Sequence, residues 1–337
     1  MGSITIKDVA KHAGVSIATV SRVINKNYYV SHGIEVKVSN AIKELGYYPN
    51  SVARSLKNDT THSIGFVVSD ISNNHYTRIA KALEKVIEDE KYNIIVCSTE
   101  NKKEREKALI ELLMSKKVDG LIINTTGKNS DFISQISNNV NVILINRKIK
   151  GISFKGDFID SNNSEGGYTL VSHLLSLGHR KIAVINGNLE LSTGLERYEG
   201  FKKAMQETGL NVENNYKYRY DGDFSTESGY QGMAKIMSLS DKPTAIVVMN
   251  NSMAIGALRY FKSHQINVPQ DISIVSYGDI DNIDLLYIQP SIVTLNAQII
   301  GSKAGEMLLE RIKDKSIINR EVIYTPKLVI GNGVQNI

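Results

Sequence analysis

Three side chains near the amino terminus suit the edges of base pairs. Arg22 can fork two N–H bonds onto a guanine, while Ile17 and Ala18, one helical turn earlier, offer apolar surface to thymine methyls. Ser16, Ser21 and Asn25 fall on the same face if residues 17–25 are helical. A second set of polar residues stands at chain positions where apolar runs give way to helical ones: 69–76, Asn146-Arg147, Ser161-Asn162-Asn163, Arg197, Phe224, Asn250-Asn251 and Tyr277-Gly278-Asp279. Residues at such junctions line ligand clefts in open parallel sheets. Nothing catalytic assembles. The chain has no GxSxG elbow, P-loop, HExxH or CxxC, and no strand leads into GxGxxG. The seven histidines are scattered, and Asp279, Asp281 and Asp284 lack the glycine and distal Glu of an EF-hand. Neither a metal nor a cofactor is expected.

The elements that position the first set are read from periodicity. In ITIKDVAKHAGVSIATVSRVIN (4–25), Ile6, Val9 and Ala10 repeat at helical spacing, as do Val20, Val23 and Ile24. Gly14 separates the two runs and Ser16 is placed to cap the second. Two helices joined by a tight glycine-containing turn form a helix-turn-helix, whose second helix enters the major groove. A third helix is expected over 34–45, with Val38, Ile42 and Leu45 closing a small core. Residues 1–60 hold eight Lys and Arg against four Asp and Glu, a net +4 of the whole chain's +5. Positive charge therefore concentrates where phosphates would be met. Tyr47 and Tyr48 follow; their hydroxyls can bond phosphates, or their rings can pack on the third helix. Residues 50–57 are good helix formers but too few to be stable alone.

From residue 63 short apolar runs alternate with amphipathic helical stretches, first through SIGFVVS, NIIVCS, GLIIN and VILIN, then through KIAVIN, AIVVM and SIVSY. That alternation predicts an α/β core of two doubly wound parallel sheets covered by helices. A long amphipathic helix is expected over 297–313. With 337 residues, 42% hydrophobic and 22% charged, the chain suits a multi-domain globular protein. No apolar run reaches membrane-spanning length, and the single cysteine, Cys97, sits in an apolar strand run, so a cytoplasmic location without membrane contact is expected.

DVAKHAGVSIATVSRVIN (8–25) and LGYYPNSVARSL (45–56), at this spacing, resemble the amino-terminal region of the lactose-repressor (LacI/GalR) family of bacterial transcription factors, and the rest of the chain follows that family's layout. The resemblance implies a DNA-binding head over 1–49, a hinge helix and linker over 50–61, and a periplasmic-binding-protein-like core over 62–337. Its two subdomains would take 62–161 with 292–321 and 162–291 with 322–337. It implies a homodimer on pseudopalindromic double-stranded operator DNA, acting as a transcriptional regulator, a repressor, under a small-molecule effector. Thr5, Thr19, Ser31, Tyr47 and Asn50 join Ser16, Ile17, Ala18, Ser21, Arg22 and Asn25 as DNA contacts. Leu56, beside Ala53, would wedge between base steps in the minor groove; the alternative is packing within a linker. In the cleft, Asn73, Tyr76, Arg197, Phe224 and Asn250 match effector contacts, with Asn146, Arg147 and Asp279 beside them.

Departures from the pattern carry information. Relatives that bind sugars carry carboxylates where this chain has Asn146, Ser161, Asn251 and Gly278, and Arg147 and Arg197 lie nearby, so the effector is expected to be a carbohydrate-related or anionic metabolite less hydroxyl-rich than a plain sugar, such as a phosphorylated sugar or a nucleobase-like molecule, with Asp70 or Asp279 as substitute acceptors. Ile34-Glu35 replaces the family's Thr-Arg, which removes a phosphate contact. Two alternatives use the same residues: a solute-binding or sugar-processing protein built on the core alone, and a regulator controlled by a partner protein. The last residues, GNGVQNI, lack the leucine heptads of a tetramerising tail.

Overall fold

Thr5 starts the first helix: its backbone N–H and its hydroxyl both donate to the Asp8 carboxylate, at 2.8 and 2.7 Å. Helix α1 (Ile6–Ala13) ends at Gly14, which takes the left-handed conformation at φ 65°. Ser16 Oγ accepts the Thr19 N–H at 3.1 Å, so it caps α2 (Ile17–Asn25) as its residue type predicts. Helix α3 (His32–Leu45) begins two residues before the expected Ile34, behind Ser31. Val9, Ala10, Val20, Val38 and Ala41 are buried together, and Tyr47 joins them. The computed structural model describes residues 4–25, 28–48, 60–149, 154–212 and 216–337. The chain divides into two compact units, Met1–Thr61 and His62–Ile337. The expected hinge, with Asn50, Ala53 and Leu56, lies outside the described residues.

The second unit holds two six-stranded sheets. In the first lobe β1 (Ser63–Val68), β2 (Asn93–Ser98), β3 (Gly120–Ile123), β4 (Asn141–Ile145) and β5 (Asp157–Ser161) alternate with α4 (Asn74–Ile87), α5 (Lys103–Ser115) and α6 (Ser130–Ile136). The second lobe runs α7 (Asn163–Ser176), β6 (Ile182–Asn186), α8 (Ser192–Glu207), β7 (Arg219–Asp221), α9 (Thr226–Met237), β8 (Ala245–Val248), α10 (Asn251–Ser263), β9 (Ser273–Tyr277) and β10 (Ser291–Val293). The chain then returns through α11 (Ala297–Lys313) and β11 (Glu321–Tyr324) before ending beyond β12 (Leu328–Val329). The strand orders are β11-β5-β4-β3-β1-β2 and β12-β10-β9-β8-β6-β7. Every pairing is parallel except β10 with β12. Strands β3, β4, β6 and β8 read as near-unbroken apolar runs because helices cover both their faces; a fully buried side chain such as Leu144 or Ile185 contributes about 1.5–3 kcal/mol of burial.

Two expectations need correction. The sequence reading places the later lobe crossings at 291/292 and 321/322. The structure puts them after Val293 and after Tyr324, since β10 pairs with β9 and β11 pairs with β5. Strands β5, β10, β11 and β12 are additions to the expected set. β5 reads DFIDS, too polar for a buried strand on pattern alone, yet all five residues are buried. Asp157 is tolerated there because Arg311 on α11 and Arg320 bracket its carboxylate at 2.5 and 2.8 Å. Burial pushes that carboxyl up, but the two arginine hydrogen bonds outweigh it and hold it below the usual range. Helix α11, with the bounds its apolar stripe predicts, packs Ile300 and Ala304 against Ile79 and Leu83 of α4.

Candidate functional site

On the small unit, α2 presents Ile17, Ala18 and Arg22 outward. The Arg22 guanidinium lies over the ring of Tyr28, 5.6 Å from its centroid, and Tyr28 is 72% exposed. Tyr28 is unexpected at this face; the signal is an aromatic pair, Tyr28-Tyr29, soon after the second helix. Other expected contacts are engaged within the unit. The Thr5 hydroxyl donates to Asp8, and the Ser16 and Thr19 hydroxyls bond each other at 2.8 Å. Asn25 turns its amide back onto the Ser21 carbonyl and hydroxyl at 2.8 and 3.1 Å. Ser31 is exposed, and its carbonyl opens α3. Of the two alternatives for Tyr47, its ring takes the packing one and is buried in the small core, while Tyr48 is exposed. Glu35 is exposed in the first turn of α3, where the helix dipole favours a carboxylate.

In the large unit the loops after the strands of both sheets face a cavity of about 340 Å³. Asn73, Tyr76, Asn146 and Arg147 line it from the first lobe; Arg197, Phe224 and Asn250 line it from the second. Asn73 caps α4 through the His75 N–H and also reaches the second lobe, bonding Asn251 and Ser252. Asn250 caps α10 through the Met253 N–H. Tyr76 accepts from Ser69 and donates to Asn124, both at 2.9 Å, which fixes its ring in the wall. Phe224 holds the left-handed conformation at φ 73°, a strained state for an aromatic residue worth about 1–3 kcal/mol, and such states concentrate at ligand sites. Its ring fits because residue 187 is glycine; a Cβ there would fall 1.9 Å from the Phe224 ring.

Asp279 lies one step away from the other expected effector residues. It does not line this cavity; its carboxylate accepts the Leu295 N–H at 3.2 Å beside an adjoining pocket. Nor do the uncharged Asn146, Ser161, Asn251 and Gly278 leave the cavity without carboxylates. Asp70, Glu100 and Asp223 stand at its exposed mouth. Glu100 is paired with Lys102 and Arg105.

The floor holds a chain of hydrogen bonds that sequence reasoning misses: His75 Nε2 meets Asn146 Oδ1 at 3.2 Å, and Asn146 Nδ2 donates to Asp160 Oδ1 at 3.3 Å. Asp160 also accepts from the Ser161 N–H and from Asn163. Burial drives the His75 pKa down to about 4 and the Asp160 pKa up to about 7. His75 lies within the junction 69–76, but periodicity cannot mark it as buried, and Asp160 is hidden in the unexpected β5. Among the described residues no cluster of three or more His, Cys, Asp or Glu could hold a metal, and no helix is long and apolar enough to cross a membrane.

Comparison with known proteins follows both halves of this layout. A family model described as bacterial regulatory proteins, lacI family, matches residues 5–50, and one described as a periplasmic binding protein-like domain matches 171–333. An HTH-type transcriptional repressor PurR of Photobacterium profundum is 36% identical over 336 residues, 99% of each chain. Its namesake in Haemophilus influenzae is 37% identical over 337 residues, again 99% of each. Among solved structures, the lac repressor bound to ONPG in the repressed state has a TM-score of 0.84 at 26% identity, covering 98% of this chain and 100% of that one. The lac repressor dimer bound to operator and the anti-inducer ONPF scores 0.83 at 25%, covering 99% and 100%.

Proposed function

The chain belongs to the lacI family of bacterial regulatory proteins, and from that premise we propose that it is a homodimeric, cytoplasmic transcriptional repressor whose hold on operator DNA is set by a small molecule bound between the two lobes of its core. The observation that carries this reading is the joining, in one chain, of an exposed Ile17–Ala18–Arg22 helix face to a two-lobed cleft. Two copies would set two recognition helices on the half-sites of a pseudopalindrome. Residues 1–49 read the duplex, 50–61 act as hinge with Leu56 as the minor-groove wedge, and 62–337 bind effector and partner.

Regulation needs an element with two arrangements that the ligand tells apart. The lobe boundary is suited to that role. Arg78 on α4 pairs with Asp281 of the second lobe, and Asn73 exchanges amide hydrogen bonds with Asn251, at 3.2 Å each way. A small molecule that favours one lobe angle trades these contacts against its own and alters the spacing of the two hinges.

The test is selection of duplexes from a randomised pool with the full-length protein, followed by the same selection with Arg22→Ala. Enrichment of an inverted repeat is expected. Arg22→Ala should then lose about 1–3 kcal/mol at one base pair of each half-site and relax the preference there alone. No sequence preference, or a loss spread evenly over all positions, would reject the assignment of Arg22 and α2 to base reading.

A further inference from the structure

We propose that the cleft takes a small metabolite bearing an oxyanion, a phosphate ester or a carboxylate, seated between the guanidinium groups of Arg147 and Arg197. The inference rests on the reading of this cleft as the effector site and names the chemistry of its occupant.

Arg147 is 4% exposed and Arg197 is 5% exposed, and both line the cavity. Neither makes an ion pair among the described residues. Arg147 Nη1 donates to Asn101 Oδ1 at 2.9 Å and to the Thr125 carbonyl at 3.0 Å. Arg197 Nε donates to Asn163 Oδ1 at 2.9 Å and its Nη1 to the Met249 carbonyl at 2.8 Å. Every one of these acceptors is neutral. Each guanidinium also lies over an aromatic ring, Arg147 at 5.5 Å from Phe224 and Arg197 at 3.8 Å from Tyr277. The groups are thus held in place and desolvated without a carboxylate in hydrogen-bond contact; Glu106 acts on Arg147, and Asp160 on Arg197, only through space. A buried cation without a directly paired counter-charge is costly, and an arriving anion lowers that cost. The planar fork of arginine suits the two or three oxygens of a carboxylate or phosphate.

The nearby carboxylates do not already fill this role. Asp70, Glu100 and Asp223 are exposed at the mouth, and Glu100 is paired with Lys102 and Arg105. Asp160 accepts from Asn146, Asn163 and the Ser161 N–H, and the buried Glu106 from the Thr126 N–H and hydroxyl and from Asn129, rather than from an arginine. The two cations belong to different lobes, so a shared anion would draw the lobes together. That is the differential contact a regulatory ligand needs.

The experiment is thermal unfolding of the full-length protein titrated with sodium phosphate, with sodium acetate and with sodium chloride at matched ionic strength. It is repeated on Arg147→Gln, Arg197→Gln and Arg147→Lys, each checked for native circular dichroism. Phosphate or acetate should raise the melting temperature beyond chloride. Half-saturation should move about ten- to a hundredfold higher in either Gln variant and less in the Lys variant, which keeps the charge. The anion with the larger arginine-dependent shift identifies the phosphate or the carboxylate source. Shifts equal to those of chloride, or shifts that persist in both Gln variants, overturn the proposal. Ribose and cellobiose form a second arm. If a neutral sugar protects and alters duplex affinity while neither anion protects, the effector reading stands and the anion is wrong. If an anion protects without altering duplex affinity, the anion stands and the regulatory reading of the cleft is wrong.

Discussion

At the scale of single residues, the cavity floor couples two groups whose titrations run in opposite directions. His75 resists protonation until about pH 4 in the folded chain, against an ordinary value of 6.5, because burial disfavours the imidazolium. Between those values the unfolded chain binds a proton that the folded one does not, so this group makes stability rise with pH. Asp160 keeps its proton up to about pH 7, against an ordinary 3.8, again through burial. Over that span the folded chain holds a proton that the unfolded one releases, so this group makes stability fall with pH. Each slope is about 1.4 kcal/mol per pH unit at most, and they cancel between about pH 4 and 6.5. His75→Gln keeps a donor for Asn146 but removes one of the two titrations. The stability of the variant minus that of the parent should therefore fall as pH rises from 4 to 6.5, by about 1.4 kcal/mol per unit. Denaturant unfolding followed by circular dichroism across that range checks it; parallel curves would show that His75 is not held neutral by the fold.

Between elements, the placement of Arg197 depends on how closely α7 and α8 approach. A Cβ on Gly167 would lie 2.2 Å from the Arg197 carbonyl oxygen, and one on Gly200 would lie 2.0 Å from that of Ser164. Backbone meets backbone here, so no side chain can yield. Gly167→Ala should push α8 outward, cost about 1–3 kcal/mol, and draw Arg197 away from Asn163 and the cavity. A lowered melting temperature together with weaker phosphate protection is the expected pair of results. Unaltered values of both would show that the contact relaxes freely. Elements of this kind are partly legible in the sequence. The helices α1, α2 and α11 follow from apolar spacing and from Gly14, and the interior strands from unbroken apolar runs. β5 is not legible, because Asp157 and Asp160 make sense in a buried strand only once Arg311, Arg320 and Asn146 have been brought beside them from other parts of the chain. Of the site residues, Tyr76, Arg197, Phe224 and Asn250 are found through motif resemblance and position at strand ends. His75, Asp160 and the exposed position of Tyr28 need the tertiary structure, since burial and ring contacts leave no periodic trace.

At the scale of the whole molecule, the described residues of the core leave apolar surface exposed on both lobes. On the second lobe Leu285 is 78% exposed and Tyr287 92% exposed, beside a groove of about 620 Å³ along α10 lined by Ile255, Leu258 and Ile288. On the first lobe Ile71 and Val96 are exposed at the edge strand β2, beside a groove of about 420 Å³ that includes Ala80 and Ile94. Apolar patches of this kind mark association surfaces, and a lac repressor similar along its whole length is described as a dimer on its operator. A second copy that covers both lobes would be sensitive to the angle between them, which ties cleft occupancy to the spacing of the two heads. The double variant Leu285→Asp with Tyr287→Asp places two carboxylates on this surface without touching a cavity residue. Sedimentation should then show a monomer where the parent shows a dimer. Because two linked heads gain affinity through effective concentration, operator binding should weaken about 10²- to 10⁴-fold, while phosphate protection of the cleft stays within about threefold of the parent's. A variant that remains dimeric, or a monomer that holds a full operator as tightly as the parent does, would move the association surface elsewhere on the core.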